Sequence, residues 1–315
     1  MMHPPIITLL TDFGISDVYV GIMKGVIAGV NPELGVIDLT HEIPPQNLIA
    51  ARFCLMNAIP YFPVGTIHIA VVDPGVGTRR RAIALRIPQG FLVGPDNGLF
   101  SGVIERVIQE KSAEAVEVVE LTNPRYWRDP HPSATFQGRD IFAPVGAYLA
   151  SGIPLERFGH PLDPTTLVSL GQPQPEITES GIEGCIQYID QFGNIVTNIS
   201  GDHVQGKTWF VAIRDLSPEE MAEKSRQKKK KKDKDKEKSK KEKILNGAQP
   251  DVGLQTLVSR MIPGSKTYGD VQPGQLVALV GSHGWIEIAA NQGSAQAQLA
   301  LDWGERVQVL LSEPT

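Results

Sequence analysis

The feature that most constrains the fold is a regular alternation of strand-like and helix-like segments through residues 5–150. Short runs rich in β-branched apolar residues indicate buried strands, and longer stretches with apolar residues at helical spacing indicate helices. The predicted strands are residues 6–10, 36–39, 66–72, 81–87 and 116–121, and the predicted helices are residues 18–30, 47–59, 99–109 and 141–149. This order is typical of an α/β unit with a mainly parallel sheet and helices on both faces.

The pattern changes after residue 170. The Pro-rich connection GQPQPE at 171–176 predicts a linker between an N-terminal domain, residues 1–170, and a C-terminal domain, residues 177–315. Beyond it, short strands are predicted at residues 181–189, 195–199, 208–213, 275–280, 285–289 and 306–311. Such a series of short strands separated by turns predicts a smaller, antiparallel barrel-like or sandwich domain.

A lysine-rich stretch interrupts the second domain at residues 217–246. Residues 224–243 hold 12 Lys and one Arg against two Asp and two Glu, a local charge of +9, so the remainder carries −5 − 9 = −14. Because the stretch has few apolar residues, it is predicted to be a disordered surface insertion, and a polybasic tether for RNA or an anionic membrane is the alternative. The acidic remainder disfavours a specific nucleic-acid partner and suits a cationic small ligand.

Composition narrows the class of protein further. The chain has 315 residues and 41% hydrophobic content, enough for a substantial core, but no run of 18 apolar residues that would predict a membrane span. The N-terminus lacks the pattern of a signal peptide. The two cysteines, Cys54 and Cys185, are distant in sequence, and no Cys/His cluster has metal-ligand spacing. We therefore expect reduced thiols, a cytoplasmic location and no structural metal.

The segment with the most evident chemical potential is IHIAVVDPGVGTRRRAI at residues 67–83. A predicted buried strand ends on Asp73, a Pro- and Gly-rich turn follows, and the turn leads to Arg79, Arg80 and Arg81. An acid at the carboxyl end of such a strand lies where α/β folds bind ligands. The alternative is a plain turn followed by solvated arginines.

Five segments together resemble a known family. They are TDFG at 11–14, VVDPGVGTRR at 71–80, GPDNG at 94–98, TFQGRDIFAP at 135–144 and DQFGNIVTN at 190–198. In this order, and over nearly the whole chain, they resemble the S-adenosylmethionine hydroxide adenosyltransferases, which are related to the halide-using fluorinases and chlorinases. Each motif alone is a common type of turn. The series is specific.

The resemblance implies an α/β N-terminal domain, a β-rich C-terminal domain and a homotrimer. It places the substrate between the N-terminal domain of one subunit and the C-terminal domain of the next. The implied reaction converts S-adenosylmethionine and water to adenosine and L-methionine without a cofactor. Because the sulfonium leaves as a neutral thioether, the reaction needs no general acid or metal. It needs a water held in line with ribose C5′ in a dry site.

The resemblance assigns the handling of that water to Asp73 and Arg80. Arg80 is expected to hold the incoming oxygen, and Asp73 to orient Arg80 and accept a hydrogen bond from the water. Most hydrolytic relatives have a histidine at the position of Gln137. A glutamine amide positions a water but does not titrate. His131, six residues earlier, is the alternative titratable group.

Three polar residues match substrate contacts of the family. Asp12 is expected to accept hydrogen bonds from both ribose hydroxyls, with capping of the following segment as its alternative role. Asp190 is expected to pair with the methionine ammonium, and Asn194 to face adenine. Carboxylates suit both a diol and an ammonium group because they only accept hydrogen bonds when ionised.

The other expected contacts come from the C-terminal domain. Phe192 and Tyr268 are candidates for the walls around adenine, with a place in the core as the alternative for Phe192. Ser282 matches a contact to the methionine carboxylate. At the following position the fluorinases have arginine and this chain has His283, whose role stays open.

The remaining polar residues of the motifs are expected to be structural. Arg79 and Arg81 are interpreted as surface or structural residues, and Asn97 and Gly98 as turn formers. Arg139-Asp140 fits a structural ion pair as well as a site.

Two other functions remain open on the sequence alone. The first is a halide-using synthase. Asp73 argues against it, because a carboxylate repels a halide and the halide-using relatives have a non-acidic residue at this position. The second is a non-catalytic module that binds adenosine or S-adenosylmethionine, for which Gln137 in place of histidine is the main support.

Overall fold

The computed structural model describes residues 5–171, 173–179, 181–213 and 260–312. The chain divides into two compact units, Met1–Gln172 and Pro173–Thr315. The division falls within the Pro-rich connection at 171–176. The lysine-rich stretch at 217–246, predicted to be a disordered insertion, lies outside the described residues.

The first unit contains a seven-stranded sheet in the order β2-β1-β3-β5-β4-β6-β7. Its strands are β1 Ile6–Thr11, β2 Gly35–Thr40, β3 Thr66–Val71, β4 Ala82–Ile87, β5 Gly90–Pro95, β6 Glu117–Leu121 and β7 Gly159–Leu162. β2, β1, β3 and β5 pair in parallel, and β4, β6 and β7 continue the sheet in antiparallel. The sheet is mixed because β4 and β5 form a tight hairpin.

Four α-helices accompany this sheet. They are α1 Tyr19–Val30, α2 Leu48–Ala58, α3 Ser101–Glu110 and α4 Ala143–Ala150. Asn47 caps α2, because its side chain accepts the Ala50 N–H at 3.0 Å. α1 and α4 pack with the odd-numbered residues of β1 and β3, such as Leu9 and Ile69, in a buried core. The predicted α/β class of this unit is confirmed.

Parallel pairing places three acids at one edge of the sheet. Asp12, Asp73 and Asp96 follow β1, β3 and β5, which are successive neighbours. Carboxyl ends of parallel strands form the edge at which open α/β sheets bind ligands.

The second unit is a nearly closed antiparallel sheet. Its strands are β8 Glu176–Thr178, β9 Gly181–Ile189, β10 Ile195–Ser200, β11 Thr208–Ile213, β12 Arg260–Pro263, β13 Leu276–Val280, β14 Trp285–Ala290 and β15 Arg306–Ser312. The order is β12-β11-β15-β9-β10-β14-β13, with β8 on β9, and a bridge between Gly264 and Ala278 brings the two ends together. One short helix, α5 Ala295–Leu299, covers part of the core. The predicted barrel-like unit is confirmed.

Within the described ranges, no helix is long and apolar enough to cross a membrane. In the same ranges, no group of three or more His, Cys, Asp or Glu side chains is arranged to hold a metal ion. Cys54 and Cys185 are not joined in a disulfide.

Candidate active site

The turn between β3 and β4 brings two charged side chains together. Arg80 Nε donates to both carboxylate oxygens of Asp73, at 3.1 Å to Oδ1 and 2.9 Å to Oδ2, and Nη2 also donates to Oδ2. The side chains of Asp73 and Arg80 are 6% and 10% exposed. The contact is therefore a shielded ion pair with several charge-assisted hydrogen bonds.

Gln137 is the third member of this group. Its Oε1 accepts a hydrogen bond from Arg80 Nη2 at 2.5 Å. Because a guanidinium only donates, the amide oxygen must face Arg80, which leaves the amide nitrogen to donate elsewhere. The Phe142 ring covers the guanidinium, with its centroid 5.5 Å from Arg80 Cζ. We call Asp73, Arg80 and Gln137 the Asp–Arg–Gln cluster.

The turn that carries the ion pair is held by its own hydrogen bonds. Thr78 Oγ1 donates to the Gly75 carbonyl at 2.7 Å and accepts the Arg80 N–H at 3.3 Å. Gly77 has a φ of 79°, and a Cβ atom there would lie 2.7 Å from the Ala134 carbonyl oxygen. Glycine is therefore required by both backbone conformation and space.

Asp12 lies next to the Asp–Arg–Gln cluster, at the end of the neighbouring strand β1. Its Oδ2 accepts the Gln46 N–H at 2.8 Å. Burial raises the pKa of Asp12, the Gln46 N–H partly opposes this rise, and the negative charge of Asp73 adds to it. The two carboxylates are therefore close enough to repel each other.

His41 supports the segment around Asp12, and sequence reasoning missed it. Its Nδ1 lies 2.8 Å from Thr11 Oγ1, and its carbonyl oxygen accepts the Gly14 N–H at 2.8 Å. His41 is only 5% exposed. The available signal was a histidine two residues after the predicted strand at 36–39.

Asp140 anchors the loop of residues 128–136. It accepts from Arg139 Nε at 2.6 Å and Nη2 at 2.7 Å, and from the Ser133 N–H at 2.9 Å. These contacts, that of Arg139 above all, lower the pKa of Asp140. Arg139 and Asp140 thus form an ion pair. His131 is exposed in this loop and, among the described residues, takes no part in the hydrogen bonds of the Asp–Arg–Gln cluster.

In the second unit, Asp190 and Asn194 close the loop between β9 and β10. Asp190 Oδ1 accepts the backbone N–H groups of Phe192 and Asn194, each at 2.9 Å, and its Oδ2 accepts Asn194 Nδ2 at 2.9 Å. The Phe192 ring is exposed at the tip of the loop, with 76% of its surface accessible. The structure therefore joins Asp190 to Asn194 and places Phe192 outside the core.

Tyr268, His283 and Glu287 form a hydrogen-bonded group in the same unit. The Tyr268 hydroxyl donates to Glu287 Oε1 at 2.8 Å, and His283 Nε2 lies 3.2 Å from Glu287 Oε2. Burial raises the pKa of Tyr268 to about 12, and the hydrogen bond to Glu287 and the charges of Glu287 and Asp190 add to this shift.

Glu287 is a second residue that sequence reasoning missed. It is 4% exposed on β14. The signal was an acid within the otherwise apolar strand Trp285–Ala290. Ser282 lies exposed in the turn before this strand, next to His283.

Comparison with protein families identifies the chain. Residues 7–159 match the SAM hydroxide adenosyltransferase N-terminal domain, and residues 184–230 and 238–308 match the C-terminal domain of the same name. The chain belongs to this family. The matched ranges include the Asp–Arg–Gln cluster and the loops of the second unit, so the recognition based on five motifs is confirmed.

The chain matches relatives over nearly its full length. An (R)-S-adenosyl-L-methionine hydrolase from Salinispora tropica is 37% identical over 98% of this chain and 99% of that protein. A fluorinase from Nocardia brasiliensis is 26% identical over 97% of this chain and 96% of the fluorinase. The crystal structure of an uncharacterized conserved protein from Thermotoga maritima superposes with a TM-score of 0.75 at 31% identity, covering 96% of this chain and 99% of that one.

The other two arginines of the turn between β3 and β4 differ in their surroundings. Arg79 is exposed. Arg81 Nε donates to Asp96 Oδ2 at 2.8 Å, and the Asp96 side chain is 3% exposed. Arg81 therefore makes a structural ion pair beneath the turn.

Proposed function

We propose that this chain hydrolyses S-adenosyl-L-methionine to adenosine and L-methionine. A water oxygen attacks ribose C5′, the C5′–S bond breaks with its electron pair returning to sulfur, and the water loses one proton. The Asp–Arg–Gln cluster at the carboxyl end of β3 is the observation that carries this proposal. The 37% identity to an (R)-S-adenosyl-L-methionine hydrolase supports it.

Arg80 is proposed to hold the attacking oxygen. Its contacts with Asp73, Gln137 and the Arg81 carbonyl use four of the five N–H groups of a guanidinium. Within the described residues, one N–H of Nη1 remains for a water. Because the guanidinium is 10% exposed, its charge is weakly screened and stabilises an oxygen that becomes negative.

Asp73 is proposed to accept the proton of the water. Gln137 Oε1 is already used by Arg80, so the amide holds a water only by donating to it. Asp73 supplies the carboxylate of the Asp–Arg–Gln cluster, and this carboxylate both fixes Arg80 and receives the proton. Gln137 therefore takes over the positioning of the water from the histidine of the relatives, and Asp73 takes over the proton transfer.

The substrate contacts are proposed by position. Asp12 binds the ribose diol, Asp190 and Ser282 bind the methionine moiety, and Asn194, Phe192 and Tyr268 contact adenine. The exposure of Phe192, at 76%, and of Tyr268, at 42%, supports this assignment, because accessible aromatic rings are available for stacking.

The test is turnover of S-adenosyl-L-methionine in water enriched in ¹⁸O. We expect adenosine and methionine, with the label in the 5′-hydroxyl group. We also expect the R epimer at sulfur to be the better substrate, since the hydrolase relatives are named for it. Asp73→Asn, which keeps the shape but removes the charge, should lower kcat about 10²- to 10³-fold while adenosine binding is retained.

The matched control is Asp202→Asn, an exposed acid of the second unit that should keep full turnover. A reaction with added chloride distinguishes the halide-using alternative. Formation of chloroadenosine in place of adenosine would contradict hydrolysis, and full activity of Asp73→Asn would contradict the proposed role of Asp73. Ligand binding without any turnover would favour the non-catalytic module.

We further propose that the chain forms a homotrimer. Exposed apolar side chains on and just before α1, which we call the apolar stripe, support self-association, because Ile15, Val18, Tyr19 and Ile22 are 37–78% exposed. A cytoplasmic location is also proposed, which the absence of a disulfide between Cys54 and Cys185 supports.

A further inference from the structure

The strand order places the end of β5 beneath the turn that carries Asp73 and Arg80. β5 pairs in parallel with β3 on one side and in antiparallel with β4 on the other. The chain must therefore cross the end of β5 when it passes from β3 to β4. The two residues that follow β5, Asp96 and Asn97, lie between the two ends of this crossing turn.

Asn97 holds the first end of the turn. Its Nδ2 donates to the Val72 carbonyl at 2.8 Å, directly before Asp73, and its Oδ1 accepts the Leu99 N–H at 3.2 Å. Both amide atoms face a group of the correct polarity, so the orientation of the amide is fixed. Val72 is fully buried, which excludes water as a substitute donor.

Asp96 holds the second end of the turn. Its N–H donates to the Arg81 carbonyl at 3.0 Å, and its Oδ2 accepts from Arg81 Nε at 2.8 Å. Its Oδ1 accepts the Val168 N–H at 2.9 Å. Both carboxylate oxygens are therefore held by hydrogen bonds, which fix the orientation of the carboxylate.

We propose that Asp96 and Asn97 are positioning residues for the Asp73–Arg80 pair, an inference that rests on the proposed function. Val72 directly precedes Asp73, and Arg81 directly follows Arg80. Because Asn97 binds Val72 and Asp96 binds Arg81, these two residues determine where Asp73 and Arg80 meet. Catalytic groups act only within about 0.5 Å of their productive geometry. A shift at either end of the turn therefore separates Arg80 from the water without touching the substrate.

Asn97→Asp tests this inference. The variant keeps the acceptor for the Leu99 N–H but turns an oxygen toward the Val72 carbonyl, so the first end of the turn moves. We expect kcat to fall about tenfold or more, KM to change by less than about threefold, and adenosine affinity to be retained. A merely structural role would lower stability without this separation of kcat from KM.

Asn123→Asp is the matched control. Asn123 makes the same two contacts elsewhere in the first unit, because its Nδ2 donates to the Arg157 carbonyl at 2.8 Å and its Oδ1 accepts the Arg125 N–H at 3.1 Å. The control should lose a similar amount of thermal stability and keep its kcat. Equal kcat values for the two variants would overturn the positioning role, while turnover by the wild-type chain would leave the proposed function intact.

Two further variants keep the test decisive. In an Asp73→Asn background, Asn97→Asp should lower kcat by less than about twofold, because the pair it positions is already broken. An undiminished loss of kcat in that background would contradict the inference.

Asp96→Asn retains the acceptor for the Val168 N–H but loses the charge that holds Arg81. It should reproduce the loss of kcat even if Asn97→Asp does not fold. Full activity of Asp96→Asn would also overturn the proposal.

Discussion

His68 is a buried histidine in the middle of β3, and its protonation opposes folding. It is 1% exposed, its Nδ1 lies 2.7 Å from Thr8 Oγ1, and its Nε2 has no hydrogen-bond partner among the described residues. Burial lowers the pKa of His68 from 6.5 to about 4. The ring is neutral in the folded protein because a charged, unpartnered N–H would be expensive in an apolar core.

This burial predicts a loss of stability in mild acid. Since the folded pKa lies below the unfolded value, the stabilisation is complete above pH 6.5 and is lost as the pH falls toward 4. The loss approaches about 1.4 kcal/mol per pH unit, or roughly 3 kcal/mol over the window. Denaturant unfolding at several pH values measures how the free energy of unfolding depends on pH. Between pH 4 and 6.5 this dependence should be weaker for His68→Gln than for the wild type. His160→Gln, which replaces an exposed histidine on β7, is the control and should keep the pH dependence of the wild type. The same pH dependence of the unfolding free energy in all three proteins would contradict the role of His68.

The sequence predicts which single residues lie at the candidate site when their position at the end of a strand is enough to place them there. Asp12 and Asp73 are recognisable because each follows an apolar strand, and parallel pairing then brings them together. The ion pair of Arg81 with Asp96 was not predictable, because it depends on β5 lying between β3 and β4. Glu287 was missed because an acid in an apolar strand gives no indication of its partners, here Tyr268 and His283.

At the scale of elements, the turn between β3 and β4 depends on its contact with a second loop. Gly77 meets the Ala134 carbonyl at a distance that excludes a side chain, and the segment after Ala134 leads to Gln137. The turn and the loop of residues 128–136 therefore fit together only with glycine at this position. That loop is fixed from its other side by Asp140.

Gly77→Ala should therefore reduce both stability and activity. A left-handed conformation costs a non-glycine residue about 1–2 kcal/mol, and the added Cβ would also displace the Ala134 carbonyl. We expect kcat to fall about tenfold to a hundredfold because Gln137 moves relative to Arg80. Gly152→Ala is the control, since Gly152 has a similar φ of 88° but no atom within 4 Å of the added Cβ. It should lose stability and retain kcat; a similar kcat for both variants would refute the link between turn and loop.

Elements with a strong apolar pattern were predictable, and short ones were not. The predicted strand at 66–72 corresponds to β3, and the predicted helix at 18–30 corresponds to α1. The three-residue strand β8 and the four-residue strand β12 escaped prediction, because such short segments carry too few residues to show a period. The five-residue helix α5 was missed for the same reason.

At the scale of the whole molecule, the change in pattern at residues 171–176 indicated two units with different architectures. Alternating strands and helices before the change predicted the α/β unit, and strands without helices after it predicted the barrel-like unit. The parallel half of the first sheet followed from this alternation, whereas the antiparallel half did not, because the hairpin between β4 and β5 lacks the Gly- and Asn-rich signature of a tight turn. Assembly is beyond the reach of pattern alone, since it depends on which apolar residues remain exposed.

The apolar stripe of Ile15, Val18, Tyr19 and Ile22 leads to a prediction about the proposed trimer. Light scattering during size-exclusion chromatography should give three times the 34.3 kDa mass of one chain. Val18→Lys should lower this mass, because Val18 is 71% exposed within the stripe and a buried lysine at an interface is unfavourable. Val64→Lys is the control, because Val64 is 82% exposed but lies outside the stripe, and it should keep the wild-type mass. A monomeric wild-type chain would refute the trimer, and an unchanged mass for Val18→Lys would show that the stripe is not part of the interface.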